Sequence, residues 1–355
     1  DTGLVDVDSS AFTAYASGGT LATAYKKITN GNSTINNTIT WTAAANASSY
    51  NVYRESNGVF GFIGRTETLT FTDKNITPDL EDTPPTIRNP FIGTNNFPST
   101  VGFFQQRRVF ANTNTHPQRI FLTQTANLNN LASSSPAKSD DAIIITIASR
   151  QVNEIRHLVP LSQLVVLTSG GEWTLDGVDG IISPTTTQVT PQTYYGATKV
   201  KPIVAGSTVL YVEAGTTIRD LGYRFETDTY TGNDVSILAR HLFDDYTIID
   251  WAYLCEPDST VYAVRDDGIL VAMTYLREQE VFGWSRQTTK GKFKSVASVE
   301  ENQRDVLYAV VERTINSQTV KYIERMHSRS LPSLQDAFFV DSGLTLDSPI
   351  TITGY

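Results

Sequence analysis

Three groups of residues in this sequence have types and spacing that could do acid–base chemistry. Glu154 precedes Arg156 and His157, and Asp244-Asp245 and Asp266-Asp267 are adjacent carboxylates. General acid–base catalysis needs two titratable groups held close together, and paired carboxylates can cleave glycosidic bonds. None of the three groups belongs to a specific catalytic signature. Since Gly268 follows Asp266-Asp267 between two apolar runs, we interpret that group as a tight hairpin turn.

The sequence contains no motif for nucleophilic, phosphate or metal chemistry. Gly-x-Ser-x-Gly, Gly-x-x-x-x-Gly-Lys and His-Glu-x-x-His are all missing, and so is the repeated Ser-x-Asp-x-Gly-x-x-Trp turn of propeller glycosidases. Asp6-Val7-Asp8 lacks the remaining oxygen ligands of a calcium loop. We therefore predict a protein that is not an enzyme, with no catalytic residue, no metal site and no cofactor.

Cysteine and histidine are too sparse for a disulfide framework or a cysteine-rich zinc site. The single cysteine, Cys255, lies between Leu254 and Glu256-Pro257, and we interpret it as a small buried hydrophobic residue. His241 has no second ligand near it in the sequence and is interpreted as an ordinary polar residue. The four histidines are His116, His157, His241 and His327.

Composition predicts a folded, acidic protein. Hydrophobic residues make up 40% of the 355 residues and aromatic residues 10%, which is enough to build a core. The formal net charge of −9 argues against binding to nucleic acid through a basic face. The longest apolar run, residues 142–148, is too short to cross a bilayer, so we predict no membrane span.

Residues 37–82 carry short runs of β-branched and aromatic residues bounded by Gly, Asn or Ser, which predict strands and tight turns. Counting with a period of two places Trp41, Tyr50 and Phe71 on inward faces of a small sandwich. The segment resembles a fibronectin type III module. Residues 1–36 are rich in small polar residues, and we assign them to an N-terminal segment of strands and loops without a defined role.

Residues 83–100 predict a stiff linker between two domains. Pro84, Pro85, Pro90 and Pro98 lie here among Asp, Asn, Thr and Gly. Proline removes a ladder donor and fixes φ, so no regular strand is expected in this stretch.

Four units of similar hydrophobic pattern follow one another later in the chain. They begin at Ile155, Val200, Ile249 and Val296, which are 45, 49 and 47 residues apart. A period of roughly 40 to 50 residues is typical of the four-stranded blades of a β-propeller. We therefore predict an all-β fold in which residues 101–355 form a β-propeller-like body, incomplete at its C-terminus. The alternative is an irregular β-sandwich.

One segment departs from the β pattern. Asp234 precedes Val235, Leu238, Ala239 and Leu242, which have the spacing of an amphipathic helix with Asp234 at its N-cap. We predict a short helix that packs between two blades.

From residue 98 onward the chain contains a series of short sequence motifs in a characteristic order. They are Pro98-Ser99-Thr100-Val101, Gln105-Gln106-Arg107-Arg108-Val109-Phe110-Ala111, Pro117-Gln118-Arg119-Ile120-Phe121, Ala148-Ser149-Arg150-Gln151-Val152-Asn153-Glu154-Ile155, Thr168-Ser169-Gly170-Gly171-Glu172-Trp173, Asp250-Trp251-Ala252-Tyr253, Val264-Arg265-Asp266-Asp267-Gly268 and Tyr322-Ile323-Glu324-Arg325. Over residues 38–341 the chain resembles the tail nozzle, or tubular tail B, proteins of short-tailed bacteriophages.

The resemblance implies a structural virion protein of the phage tail. It implies a ring of six copies, a homo-hexamer, below the portal and a tail adaptor protein, with tail fibres or a needle attached nearby. Genomic DNA would pass through the lumen during ejection without sequence-specific binding, and an acidic wall would avoid the cationic contacts that grip phosphates. The family carries no catalytic residues over, and no residue is assigned to face the lumen.

A second hypothesis belongs to another class of protein. A carbohydrate-binding or carbohydrate-cleaving β-propeller, such as a receptor-binding tail protein, would use exposed Trp173, Trp284 or tyrosine residues as sugar platforms. Their period-two placement favours the interpretation that these rings fill blade cores.

Overall fold

The computed structural model describes residues 37–44, 47–84, 89–134, 137–149, 151–213, 216–331, 333–337 and 340–343, together with the backbone of residues 5–15 and 21–28. This part of the chain is almost entirely β. Its strands are β1 (Val5–Tyr15), β2 (Leu21–Ile28), β3 (Asn37–Thr40), β4 (Tyr50–Ser56), β5 (Val59–Thr66), β6 (Thr70–Asp73), β7 (Thr100–Phe104), β8 (Arg107–Ala111), β9 (Arg119–Leu122), β10 (Ile143–Thr146), β11 (Ile155–Pro160), β12 (Leu164–Thr168), β13 (Gly171–Asp176), β14 (Gln188–Thr193), β15 (Ile203–Ala205), β16 (Thr208–Val212), β17 (Ile218–Arg224), β18 (Thr229–Asp234), β19 (Ile248–Leu254), β20 (Thr260–Arg265), β21 (Leu270–Leu276), β22 (Val281–Gln287), β23 (Lys292–Glu301), β24 (Arg304–Ile315) and β25 (Gln318–Arg325).

Five antiparallel sheets, each a simple meander, make up the propeller-like body. Sheet I contains β7–β10, sheet II β11–β14, sheet III β15–β18, sheet IV β19–β22, and sheet V the three strands β23–β25. Sheets II to V correspond to the four repeats of the sequence, so the predicted all-β, propeller-like fold is confirmed. Sheet I is a further unit that the repeat did not include.

The chain divides into two compact units, Asp1–Tyr194 and Tyr195–Tyr355. The boundary falls between sheets II and III. In the first unit, sheets I and II share one core, in which Val109, Ile120, Leu164 and Leu175 are fully buried. In the second unit, sheet IV lies between sheets III and V and shares a core with each. Burial of each such aliphatic side chain stabilises the fold by about 1.5–3 kcal/mol.

Within each unit, the first strands of neighbouring sheets lie side by side. The Cβ of Leu158 in β11 is close to Gly102 in β7. The indole nitrogen of Trp251 in β19 donates to the carbonyl of Lys201, just before β15, and the backbone NH of Val296 in β23 donates to the carboxylate of Asp250 in β19. Sheets whose first strands meet in this way are arranged like the blades of a propeller.

The small module at residues 37–82 is a sandwich of two two-stranded sheets, β3–β6 and β4–β5. The rings of Trp41 and Tyr50 meet edge to face with centroids 5.2 Å apart. Tyr50 is buried as predicted, whereas Trp41 and Phe71 are half-buried. Both residues of the Asn57-Gly58 turn have positive φ, which is the geometry that closes a two-residue hairpin without splaying the strands.

The proline-rich segment contains no strand before β7 in its described residues, but it packs closely against sheet I. The ring of Phe91 lies edge-on to Phe110 and Phe121, at centroid distances of 5.4 and 5.1 Å. The side chain of Asn96 is buried and accepts a hydrogen bond of 2.7 Å from the hydroxyl of Thr115. The segment therefore covers part of one face of sheet I.

The prediction of an amphipathic α-helix is wrong, because the segment forms a 3₁₀ helix instead. Residues Ile237–Leu242 form a 3₁₀ segment with a kink at Ala239, and it begins after Ser236 rather than after Asp234. The carboxylate of Asp234 accepts from the backbone NH and the hydroxyl of Ser236, which ends β18 and tightens the turn. Leu238, expected on the buried face, is 90% exposed, because a 3₁₀ helix turns every three residues.

Candidate functional site

The three acidic groups singled out in the sequence lie in turns or beside the start of a strand. Glu154 accepts a hydrogen bond of 2.9 Å from Arg156, its neighbour at the start of β11. Asp244 and Asp245 are exposed in the turn before β19. The structure does not bring these groups together with one another, so no pair of facing carboxylates arises from them.

Asp266-Asp267-Gly268 is the hairpin turn between β20 and β21, as predicted, and Gly268 has a φ of 88°. The carboxylate of Asp267 holds both the guanidinium of Arg265, with one contact at 3.1 Å, and the backbone NH of Ile269 at 3.1 Å. The hydrogen bond from Arg265 lowers the pKa of Asp267 below its ordinary value. Arg265 is itself buried, lies 3.5 Å from the ring centroid of Tyr246, and donates to the carbonyl of Leu242 at 2.7 Å.

Cys255 is exposed, so the prediction of a buried small hydrophobic residue is wrong. The thiol residue follows the end of β19, where the chain leaves the sheet. Its backbone NH donates to the carboxylate of Asp305 at 2.7 Å, and the NH of Glu256 donates to the same oxygen at 3.2 Å. The apolar neighbour Leu254 predicted burial, but the strand ends before position 255.

Two ion clusters, each built around a buried charged side chain, were not predicted from the sequence. Asp220 in β17 is 1% exposed and accepts from the backbone NH of Asn233 at 2.7 Å. The guanidinium of Arg277, at the end of β21, lies 3.4 Å from it. Burial, followed by the charge of Asp220, raises the pKa of Tyr275 in the same cluster to about 12. In sheet V, Arg313 is bound by Glu324 and by Asp341.

These clusters are satisfied ion pairs within and between sheets. A buried charge without a partner is costly, so paired carboxylates and arginines here stabilise one arrangement of the sheets. Within the described residues, no group of His, Cys, Asp or Glu is placed to hold a metal ion. No helix in the same part of the chain is long and apolar enough to cross a membrane.

The two tryptophans considered as sugar platforms are built into the sheets. Trp173 is buried, which confirms that it fills a blade core. Trp284 is half-buried, meets Phe243 edge to face at 4.7 Å, and donates from its indole nitrogen to the carbonyl of Val235 at 2.8 Å. Neither ring is therefore fully exposed, as a sugar platform would be.

Sheet V offers the clearest candidate surface for assembly. The third strands of the other sheets are mainly buried, as at Leu122, Leu175 and Leu221. By contrast, β25 is the edge strand of its sheet and is exposed along most of its length, as the edge strand β22 of sheet IV is; Ile323 of β25 is 78% exposed. On β24 buried and half-buried residues alternate, whereas β20 of sheet IV is buried throughout. One face and one edge of sheet V therefore remain uncovered in the described structure.

Polar side chains are arranged in pairs on that uncovered face. Glu301 in β23 accepts from the hydroxyl of Tyr308 at 2.5 Å and from the guanidinium of Arg325 at 2.6 Å. The ammonium of Lys294 lies 3.5 Å from the carboxylate of Glu312. These pairs are partly exposed, so each contributes little to stability.

No protein family matches the chain, and neither does any curated protein. Among solved structures, it is similar to a chain in the structure of a Saccharomyces cerevisiae Dbp5 variant bound to Nup159, a Gle1 variant, IP6 and ADP, with a TM-score of 0.36 and 9% identity over 68% of this chain and 64% of that chain. It is also similar to the WD40 domain of SCAP from fission yeast, with a TM-score of 0.39 and 8% identity over 79% of this chain and 72% of that one. This chain thus spans less than two thirds of the first structure, and likeness at this level identifies no function.

Proposed function

We propose that this chain is a non-enzymatic subunit of a bacteriophage tail nozzle, a ring that forms the distal tail tube through which DNA is ejected. The observation that carries the proposal is the ordered series of short sequence motifs between residues 98 and 325. Several of them fall on strands and turns that define the sheets. Gln105-Gln106 is the turn between β7 and β8, and Arg265-Asp266-Asp267-Gly268 forms the turn between β20 and β21.

Two further observations support a role in assembly rather than catalysis. Among the described residues, the candidates for acid–base chemistry lie in turns or form ion pairs, as Glu154 and Asp267 do. The exposed edge and face of sheet V provide surface for contacts between copies. A ring needs heterologous contacts, in which a patch on one copy binds a different patch on the next.

The net charge of −9 suits a conduit for DNA. Duplex DNA carries about one negative charge per 1.7 Å, and proteins that neutralise many phosphates hold it tightly. An acidic subunit does not neutralise the phosphates and so does not hold the DNA tightly, which lets the DNA move past it.

Electron microscopy of virions tests the proposal. We expect antibodies against the chain to label the distal end of the tail, and averaged particles to show a six-fold ring into which sheets I to V fit. Particles made without the chain should package DNA but fail to retain or eject it normally. A chain that never copurifies with particles would contradict the proposal.

A further inference from the structure

We propose that the outer face of sheet V in one copy of the chain binds the hairpin tips of sheets III and IV in a second copy. The outer face is the side of sheet V that points away from sheet IV. The tips are residues 223–228, around the β17–β18 turn, and residues 276–281, around the β21–β22 turn. The inference deepens the proposed function and rests on it, because it supplies a contact between neighbouring subunits of the ring.

Burial and register define the outer face of sheet V. Along β24, Leu307, Ala309 and Val311 are buried in the core shared with sheet IV, so the residues between them point the other way. Val310 is one of these, and it lies opposite Ile323 of β25. By contrast, β20 of sheet IV is buried on both of its sides. The outer face of sheet V therefore has no neighbouring sheet against it in the described structure.

The centre of the outer face is apolar. Val310 pairs with Ile323 across β24 and β25, and Val306 pairs with Val299 across β24 and β23, so all four side chains lie on the same side. Val299 and Ile323 are exposed. Burial of such side chains is favourable, and an exposed apolar surface bordered by polar residues is typical of a protein–protein contact.

The ends of the outer face are mainly basic. Lys292 of β23 and Lys321 of β25 lie opposite Glu312 of β24, and the ammonium of Lys294 lies 3.5 Å from the same carboxylate. Three lysines thus surround one glutamate. At the other end, two arginines lie beside one glutamate, and these residues are Arg304, Arg325 and Glu301. The outer face is therefore positive, although the whole chain has a net charge of −9.

The tips of sheets III and IV also expose apolar side chains. The ring of Phe225, in the β17–β18 turn, is 86% exposed. Leu276 and Val281, on either side of the β21–β22 turn, are exposed as well. The guanidinium of Arg277 lies against Gly222 of β17, so the two hairpins end side by side.

The charge of the tips is opposite to that of the outer face. Four exposed carboxylates lie in the two turns, and they belong to Glu226, Asp228, Glu278 and Glu280. Of the two arginines in these segments, Arg277 is paired with Asp220 of sheet III, which leaves Arg224 to offset the four carboxylates. The tips are therefore acidic. Complementary charge around an apolar centre selects one partner surface over others.

The two surfaces of a single copy do not face each other. Sheet IV lies between sheets III and V, and the inner side of sheet V packs against it. The outer face thus lies on the far side of sheet V from both tips. Because the two surfaces differ, a contact between them is heterologous, and repeated contacts close into a ring when the rotation between copies is right.

Duplex DNA is the other partner that a basic face attracts, because its phosphates are negative. The apolar centre favours a protein partner over DNA. Contact with phosphates would leave Val299 and Ile323 without an apolar partner, whereas Phe225, Leu276 and Val281 provide one. The second copy is therefore the occupant that satisfies both the charge and the apolar surface.

A charge-exchange experiment on the full chain tests the inference. The face variant reverses the sign of the lysine end but keeps opposite charges paired across the strands, and it carries Lys292→Glu, Lys294→Glu, Lys321→Glu and Glu312→Lys. The tip variant carries Glu226→Lys, Glu278→Lys and Glu280→Lys. In either variant alone, face and tips have the same sign of charge. We expect each to associate about tenfold or more weakly than wild type in analytical ultracentrifugation, because attraction becomes repulsion.

The decisive measurement is the mixture of the two variants. The glutamate-bearing face then meets the lysine-bearing tips, and the unaltered tips of one variant meet the unaltered face of the other. We expect mixing to restore association to near the wild-type level. The matched control carries Lys199→Glu and Lys201→Glu, which change the net charge as much as the face variant does at exposed positions outside both surfaces. It should associate like wild type. Circular dichroism and the melting temperature show whether each variant is folded.

Cross-linking gives a second measurement that needs only single substitutions at exposed positions. In a Cys255→Ser background, one preparation carries Ile323→Cys and the other Phe225→Cys. We expect the oxidised mixture to form a covalent dimer of the two, and neither preparation alone to do so efficiently, because each position meets the other and not itself. Absence of this dimer would count against the contact even if a charge variant were poorly folded.

The inference is overturned if wild type is a monomer at all concentrations, if the face variant associates like wild type, or if mixing restores nothing. It is also overturned if wild type binds a short DNA duplex that the face variant does not bind while association is unchanged, since DNA would then be the partner. A ring seen in virions would keep the proposed function in each of these cases. Restored association by a chain that is missing from virions would keep the contact and remove the nozzle.

Discussion

The carboxylate of Asp220 in sheet III lies 3.4 Å from the guanidinium of Arg277 in sheet IV, and this pair joins two adjacent sheets of the second unit. Asp220 is almost completely buried, whereas about a third of the Arg277 side chain is exposed. Removal of the arginine would leave a buried charge without its partner, which is among the most costly changes in a protein interior.

We expect Arg277→Met to lower the free energy of unfolding by about 3 kcal/mol, because the buried carboxylate of Asp220 then loses its ion-pair partner. The double variant with Asp220→Asn should recover part of that loss. The control is Arg240→Met, which breaks the ion pair with Asp234 and should cost less than about 1 kcal/mol, since that arginine is mostly exposed. Urea unfolding measures all three. Equal losses in Arg277→Met and Arg240→Met would contradict the account.

The pair of Arg265 and Asp267 predicts a dependence of stability on pH. Arg265 lowers the pKa of Asp267 in the folded chain, so this carboxylate contributes stability that is fully present above its unfolded pKa of about 4 and is lost as pH falls through the folded pKa. The difference in free energy of unfolding between wild type and Asp267→Asn should therefore be constant above about pH 5 and shrink below pH 4. Urea unfolding at several pH values checks it. A difference that stays constant down to pH 2 would refute this assignment.

Gly232 in β18 has no room for a side chain. A Cβ there would collide with the backbone carbonyl oxygen of Asp220 in the adjacent strand. We expect Gly232→Ala to lower the free energy of unfolding by about 1–3 kcal/mol, because the two strands must move apart. Gly283→Ala in the edge strand β22 is the matched control, since nothing lies within 4 Å of its Cβ position, and it should be neutral or slightly stabilising. Similar melting temperatures for the two variants would show that β18 yields easily.

The 3₁₀ segment after β18 predicts opposite results at two leucines. Leu242 is 9% exposed and belongs to the core shared by sheets III and IV. Leu242→Ala should lower the free energy of unfolding by about 2–4 kcal/mol, and Leu238→Ala should change it by less than about 0.5 kcal/mol. Thermal unfolding of both variants is sufficient. A large loss at Leu238 would favour the amphipathic helix that the sequence pattern predicts.

Local signals in the sequence predict most strands but few of the contacts between them. Repeated apolar runs and the turn residues at Asn316 and Gly268 give sheets II to V, because strand and turn preferences act over a few residues. Sheet I lacks such turn residues in its first hairpin, which turns at Gln105-Gln106. Both of these residues have positive φ. Glutamine is unusual at such positions, so the sequence pattern does not predict this turn.

Contacts between distant residues are invisible to pattern reasoning. Asp220 and Tyr275 are 55 residues apart in the chain and meet only because sheets III and IV stack. The same limit explains Cys255, whose exposure depends on where β19 ends. Placement of Trp173 in the core was predictable, because a period of two fixes the side of a strand on which a residue lies.

Arg107 in β8 donates to the carbonyl oxygens of Thr123, Ser139 and Asp141, at 2.7, 2.9 and 2.5 Å. One side chain thus fastens both ends of the long connection from β9 to β10. Loss of this side chain would therefore release both ends of the connection from the sheet at once.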